Sequence, residues 1–77
     1  MKLPRDLCGR DLAAHLCRCW GYQKVNQAGS HIILQTESPG HHRLSVPDHS
    51  PLRIGTLNAI LRQVAAAKGV ARETILK

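Results

Sequence analysis

The stretch that decides the fold is "GSHIILQTESPGHHRLSVP", residues 29–47. Its first half is β-branched and aliphatic and stops at the turn signal "SPG", which is typical of a buried strand. Its second half alternates apolar and polar residues until Pro47 ends it, which is typical of a strand with one face in water. The stretch therefore predicts two neighbouring strands joined by a short loop.

The alternation also predicts which strand residues enter the core, because successive side chains point to opposite faces of a sheet. Ile32 and Leu34 share one face of the first strand, and Leu44 and Val46 share one face of the second. These four side chains are expected to face inward. The opposite, open face is expected to carry the intervening residues His31, Ile33, Gln35, Arg43 and Ser45.

A helix is predicted on the N-terminal side, in "LCGRDLAAHLCRCWG", residues 7–21. Leu12, Leu16 and Cys19 recur at the spacing of one helical face, with Trp20 beside them, and a glycine follows as a natural stop. Asp11 lies three residues after a cysteine, which is the spacing of a capping box, although a thiol is a poor cap.

A second helix is predicted in "TLNAILRQVAAAKG", residues 56–69, with Thr56 as N-cap and Gly69 as stop. Its apolar stripe is formed by Leu57, Ile60, Leu61 and Val64. The final segment "VARETILK" is expected to add a short helical turn. Between the first helix and the deciding stretch, "YQKVNQAG" is predicted to be a weak strand.

Together these elements predict an α+β domain in the order α-β-β-β-α. Three short strands separated by tight connections favour a three-stranded antiparallel meander, with both helices packed on one face. The 77 residues are too few for two cores, so residues 1–77 are expected to form a single domain.

The composition limits where the protein acts. The longest uninterrupted apolar run is Val64 to Ala67, far shorter than a membrane helix, and no signal peptide is visible, so a cytoplasmic protein is expected. The three cysteines are expected to be reduced. Cys17 and Cys19 would point to different sides of a helix, so these cysteines are not expected to hold a metal. No cofactor is expected.

A net charge of +6, from eleven basic and five acidic residues, favours a polyanionic partner, most often nucleic acid. Within that reading the corner formed by Gly29, Ser30 and His31 is the chemical candidate. Glycine permits a tight backbone there, and an exposed imidazole exchanges protons near neutral pH. Lys24 and Arg43, on the flanking strands, are expected to supply positive charge. The alternative is an ordinary solvated strand histidine.

Two further features remain open at this point. His49, which follows the last strand, is a possible helper, and the paired histidines "HH" are more typical of a polar turn. Residues 57–77 also resemble a helix-turn-helix, with Ala65, Gly69 and Ile75 at suitable positions, which would make the protein a DNA binder. That motif is weakened because the chain ends about two turns into any recognition helix.

Four stretches taken together resemble the HicA family of toxins from bacterial type II toxin–antitoxin pairs. They are "KLPRDL-GRDL", "GSHIIL", "VPDH-PL--GTL" and "ILRQVA---GV", in that order along nearly the whole chain. The resemblance implies a fold like that of double-stranded-RNA-binding domains. It also implies a metal-independent, mRNA-cleaving ribonuclease that is held inactive by a HicB-type antitoxin.

The resemblance identifies His31 with the catalytic histidine of the family, which lies in a Gly-Ser-His corner. We expect His31 to act as general base or acid in RNA self-cleavage. Lys24, Arg43 and the backbone N–H groups around Gly29 and Ser30 are our own candidates for offsetting phosphate charge. A non-catalytic RNA-binding module is the remaining alternative within the same fold.

Overall fold

The computed structural model describes residues 7–76 and has two α-helices, three strands and one short 3₁₀ helix in that range. The elements are α1 (Gly9–Cys19), β1 (Gln23–Ala28), β2 (His31–Thr36), β3 (His42–Pro47), α2 (Ile54–Lys68) and a 3₁₀ helix (Arg72–Thr74). The predicted α+β class and the order α-β-β-β-α are confirmed. The chain start, where no signal peptide is predicted, most of "KLPRDL" and Lys77 lie outside the described residues.

The three strands form one antiparallel sheet in the order β1-β2-β3, which confirms the predicted meander. The inward face is the predicted one, since Ile32, Leu34, Leu44 and Val46 are all buried. Both helices contact this face, and the other face is open. The open face therefore displays polar side chains, with the half-buried Ile33 among them, to any partner that approaches from that side.

The β1–β2 connection is a two-residue hairpin turn formed by Gly29 and Ser30, since Ala28 and His31 pair across it. Gly29 has φ +59°, whereas Ser30 does not have a positive φ. A positive φ at the first central residue alone is the pattern of a type II′ turn, which favours glycine at that position. The glycine thus places His31 at the first position of β2.

Helix α1 buries Leu12 and Leu16 as predicted, but Cys19 is exposed, so the predicted stripe was wrong at its last position. The helix ends at Cys19, and the larger ring of Trp20 covers this end of the core instead. Cys8 is the N-cap and makes no side-chain capping bond, which agrees with the poor cap expected of a thiol.

Helix α2 buries its predicted stripe, but it begins at Ile54, so Thr56 is inside the first turn and not the N-cap. Leu52 is buried, and its N–H donates to the Leu7 carbonyl oxygen at 2.8 Å. The helix begins two residues after Leu52, and its first backbone hydrogen bond runs from the Leu57 N–H to the Arg53 carbonyl oxygen at 2.9 Å. The helix stops, as predicted, at Gly69 in a left-handed conformation.

The C-terminal segment folds back onto α1. The Ile75 side chain is fully buried, and its carbonyl oxygen accepts from His15 Nε2 at 2.7 Å and from Trp20 Nε1 at 2.8 Å. A carbonyl oxygen only accepts, so His15 must carry its proton on Nε2. This segment contains the predicted short helical turn.

The helix-turn-helix alternative fails on the same segment. Up to Leu76, the only helical residues after α2 are Arg72–Thr74, too few to form a recognition helix. Arg72 donates to Asn58 Oδ1 at 2.5 Å and so is already engaged. Within residues 7–76, no helix is both long and apolar enough to cross a membrane.

Candidate active site

His31 is the first residue of β2, and its side chain lies on the open face of the sheet. The residue is exposed, and its register partners are Ala28 on β1 and Pro47 on β3. It is held there because the type II′ turn before it ends directly at the strand. The predicted placement of His31 on the open face is thus confirmed.

Ser45 holds one nitrogen of the imidazole. The Ser45 hydroxyl and His31 Nδ1 are 3.2 Å apart and form a hydrogen bond across the β2–β3 pair. A hydroxyl can donate to a neutral ring nitrogen or accept from a protonated one, so the contact suits both states of the ring. Nε2 is directed away from this contact and is the nitrogen available for proton transfer.

The loop after β3 closes the corner from behind. The Asp48 N–H donates to the Ser30 carbonyl oxygen at 2.5 Å, and the Gly9 N–H donates to the His49 carbonyl oxygen at 2.9 Å. The Asp48 carboxylate also pairs with Arg10 at 3.4 Å. His49 is exposed in this loop, one residue from the bond to Ser30. The turn is therefore bonded to the loop after β3, and that loop is in turn bonded to the start of α1.

Lys24 is not beside His31, and its predicted place was wrong. It pairs in register with Leu34, which faces the helices, and it lines a groove with Cys17 of α1. The cause is a β-bulge between Lys24 and Asn26, since an extra residue in one strand moves the following side chains to the opposite face. The bulge thus moves Lys24 off the open face, whereas Asn26, on the hairpin side of the bulge, pairs with Ile33 and lies on that face.

Arg43 does share the open face with His31, as predicted, but it lies far along the strand. It pairs in register with Gln35, while His31 pairs with Pro47. Arg43 and Pro47 are four positions apart on β3, or roughly 13 Å at about 3.3 Å per residue. Arg43 therefore offers its charge to a different part of a bound ligand than His31 does.

A second histidine lies at the other end of the sheet in a contrasting environment. His42 Nδ1 bonds to the Tyr22 hydroxyl at 2.8 Å, and Lys68 Nζ lies 4.9 Å from the centre of the Tyr22 ring. Lys68 also donates to Thr36 Oγ1 at 2.9 Å. Burial, followed by the nearby charges of Lys68 and His41, lowers the pKa of His42 below its ordinary value.

This cluster was not predicted from the sequence, because a lone tyrosine and a helix-ending lysine have no motif of their own. Burial raises the pKa of Tyr22 and lowers the pKa of Lys68, because it disfavours the charged form of each group. The neighbouring His41 is exposed and pairs with Glu37 at 3.0 Å. The role of the cluster is to tie α2 to β2 and β3.

Chemically, the corner offers one exposed imidazole with a fixed Nδ1 and a free Nε2, which is suited to general acid or base catalysis. The region described, residues 7–76, contains no group of three or more side chains that could hold a metal ion. Ser45 was missed as a partner of His31 because the sequence predicts its face but not its register.

The chain matches the family model described as HicA toxin of bacterial toxin-antitoxin over residues 9–65. This range contains α1, the whole sheet with its Gly-Ser-His corner, and most of α2, and it is well over half of the 77 residues. No curated protein and no solved structure matches the chain. The likeness first seen in four short stretches therefore extends over the fold and the site, and the chain belongs to the HicA family of toxins of bacterial toxin–antitoxin systems.

Proposed function

We propose that this toxin is a metal-independent endoribonuclease that cleaves mRNA in the cytoplasm and is neutralised by a HicB-type antitoxin. Residues 1–77 would act as one domain. The observation that carries the proposal is the exposed His31 imidazole, fixed at Nδ1 by Ser45 and open at Nε2. A net charge of +6 supports a polyanionic substrate.

In the proposed reaction the RNA supplies its own nucleophile. His31 Nε2 takes the proton of a 2′-hydroxyl as its oxygen attacks the adjacent phosphorus, and the bond to the 5′-oxygen breaks. A proton returned to that oxygen completes a 5′-hydroxyl product, and the other product keeps a cyclic phosphate. Because DNA lacks the 2′-hydroxyl, the reaction selects RNA.

Charge on the phosphate would be offset near the turn. The backbone N–H groups of Gly29 and Ser30 occupy the two central positions of the turn, outside the regular ladder of strand hydrogen bonds. Such groups cost little to reorganise, because the turn is already fixed by the bond from Asp48. Arg43 would contact the RNA backbone further along the open face, and His49 would contact it beside the turn.

The test is RNA cleavage by the purified chain in EDTA, comparing wild type with His31→Ala. His41→Ala is the matched control, because His41 is also an exposed histidine but lies in the β2–β3 loop. We expect wild type and His41→Ala to cut and leave 5′-hydroxyl ends, and His31→Ala to be inactive. If none of the three cuts and all bind RNA equally, the protein is a non-catalytic RNA-binding module.

The antitoxin part of the proposal has a separate test. A partner that binds only the folded toxin stabilises it by mass action, and a core this small leaves room for a clear effect. We expect the melting temperature of the toxin to rise on adding a HicB-type antitoxin, and to rise further with its concentration. An unchanged melting temperature would contradict this pairing.

A further inference from the structure

The open face carries a shallow pocket directly beside His31. Its volume is about 470 Å³, within the range of roughly 300–1,000 Å³ that is usual for small-molecule sites. The pocket is lined by Asn26, Ala28, Ile33, Arg43, Leu44 and Ser45. Two of these residues adjoin the imidazole, since Ala28 pairs with His31 in register and Ser45 bonds to its Nδ1. A ligand in the pocket would therefore lie next to the candidate catalytic residue, which is not itself part of the lining.

The floor of the pocket is apolar. Ile33 lies in the centre of the sheet, and its register partners, Asn26 on β1 and Ser45 on β3, form one row across the open face. Ala28 comes from the adjacent row, which contains His31. The rows are two residues apart, or roughly 7 Å. A flat apolar floor of this kind suits the face of a planar ring.

Asn26 gives the pocket a directed hydrogen-bond donor. Its Oδ1 accepts from the Gln27 N–H at 2.8 Å, which fixes the orientation of the amide group. The two N–H bonds of the same amide then remain for a ligand. They would donate to an acceptor on the edge of a base, such as a carbonyl oxygen or a ring nitrogen.

Arg43 closes the pocket at the end away from His31. Among the described residues its guanidinium pairs with no carboxylate, and the lining contains no acidic residue. His31 and Arg43 thus flank the apolar floor on opposite sides. This arrangement suits a single RNA strand. His31 would meet the reactive phosphate, the apolar floor would hold one base, and Arg43 would bind one further phosphate.

We propose that this pocket is a nucleobase subsite for the nucleotide next to the cleaved phosphate, and that Asn26 sets its base preference. The inference rests on the proposed ribonuclease function and adds a specificity-determining residue to it. The ligand is an unpaired base, because a base inside a duplex could not lie flat on Ile33. The free cation and the absence of acidic lining favour RNA over a protein side chain.

The experiment is cleavage of a random-sequence RNA pool with sequencing of the new ends. Asn26→Ala is compared with wild type and with Gln23→Ala, an exposed amide on the same strand and open face but outside the pocket. We expect wild type and Gln23→Ala to share one base preference beside the cut. In Asn26→Ala the preference should fall about five-fold or more, the discrimination that one good base contact supplies.

If Asn26→Ala cuts with the wild-type preference, the subsite is wrong while the ribonuclease function stands. If wild type does not cut at all, the ribonuclease function is wrong, and the subsite is tested by measuring oligonucleotide binding. A 2′-deoxy trinucleotide, which cannot be cleaved, is then titrated into ¹⁵N-labelled protein. Amide shifts centred on Asn26, Ala28 and Ile33 would support the subsite, and shifts elsewhere or none would overturn it.

Discussion

His31 and His42 lie on the same small sheet, and each has its Nδ1 bonded to a hydroxyl group, yet their surroundings are opposite. His31 begins β2, is exposed and bonds to Ser45 at 3.2 Å. His42 begins β3, is half-buried and bonds to Tyr22, which is only 2% exposed, at 2.8 Å. The comparison distinguishes His31, which is accessible to a ligand, from His42, which contributes to the packing of the fold.

Solvation explains the difference. Burial disfavours the charged imidazolium of His42, and the ammonium group of Lys68 nearby disfavours it further, so its pKa is lowered. A ring that resists protonation is a good packing element but a poor proton carrier at neutral pH. His31 is exposed, so its Nε2 can meet a substrate.

The largest expected effect comes from replacing each of the two histidines by alanine and comparing the loss of activity with the loss of stability. His31→Ala should lower the RNA cleavage rate by about 100- to 10,000-fold, the contribution of a general acid or base, with little change in the free energy of unfolding. His42→Ala should do the reverse. It should lower the free energy of unfolding by about 1–3 kcal/mol, because the buried Tyr22 hydroxyl loses its partner.

The measurement is the cleavage rate per folded molecule together with a urea unfolding curve for each variant. A large loss of activity in fully folded His42→Ala would contradict the division of roles between the two ends.

A second prediction concerns how the His31 corner is supported. Gly9 lies against the backbone of Pro47, the register partner of His31, and a side chain there would collide with the Pro47 carbonyl oxygen. Backbone cannot move aside as a flexible side chain can. Gly9→Ala should therefore lower the free energy of unfolding by about 1–3 kcal/mol, as overpacking does, and also lower activity.

The matched control is Gly55→Ala. Gly55 is also in the first turn of a helix, has no positive φ, and has open space where a side chain would be added. Alanine there should stabilise the protein by roughly 0.5–1 kcal/mol, because glycine is a poor helix former. Equal effects of the two changes in urea unfolding would show that the Gly9 contact is unimportant.

A third prediction uses pH to single out His42. Its folded pKa lies below its ordinary value of 6.5, so as the pH falls through 6.5 the unfolded chain binds the proton first. Stability should be complete above this pH, decline below it, and level off once the folded His42 is itself protonated. Urea midpoints measured from pH 7.5 downward should show this decline.

His42→Gln should remove that part of the decline, whereas His31→Gln should keep it. Glu37 does not interfere, because the pKa of that exposed carboxyl is lowered from 4.5, chiefly by its hydrogen bond to His41, and it titrates in a more acidic range. A decline that persists in His42→Gln would assign the effect to another group.

The smallest expected effects come from removing the two hydroxyl groups. Ser45→Ala should lower kcat about two- to ten-fold, because the loss of one hydrogen bond of about 0.5–1.5 kcal/mol lets the imidazole rotate. Ser45→Thr should restore the rate. Tyr22→Phe should leave activity unchanged and lower the free energy of unfolding by a similar amount.

Steady-state kinetics and urea unfolding on the three variants check these outcomes. The result that would contradict them is a fall in stability, with no fall in kcat, for Ser45→Ala.

Much of the fold was predictable because burial leaves a periodic signal in the chain. The alternation in β2 and β3 predicted which residues are buried, and the spacing of Leu57, Ile60, Leu61 and Val64 predicted the inner face of α2. The Gly-Ser-His corner was recognisable because a type II′ turn requires glycine at its first central position. The position of His31 on the open face followed from these two signals.

Strand β1 shows where such prediction stops. All six of its residues are exposed, so no apolar alternation indicates which face each side chain takes. The bulge between Lys24 and Asn26 then reverses the face that Lys24 takes, which is why Lys24 was misplaced. The start of α2 at Ile54 was not predicted either, and the Leu52 N–H just before it bonds to Leu7, a residue distant in the sequence.

The sequence by itself thus determined the order of elements, the inward-facing residues and the exposed histidine, because each depends on local conformation and on contact with water. Only the tertiary structure decided that Ser45 meets His31, that Tyr22 and Lys68 enclose His42, and that Asn26 borders the open pocket. These contacts depend on the register between strands and on the approach of helix ends. Register is a relation between segments, and no periodicity within one segment records it.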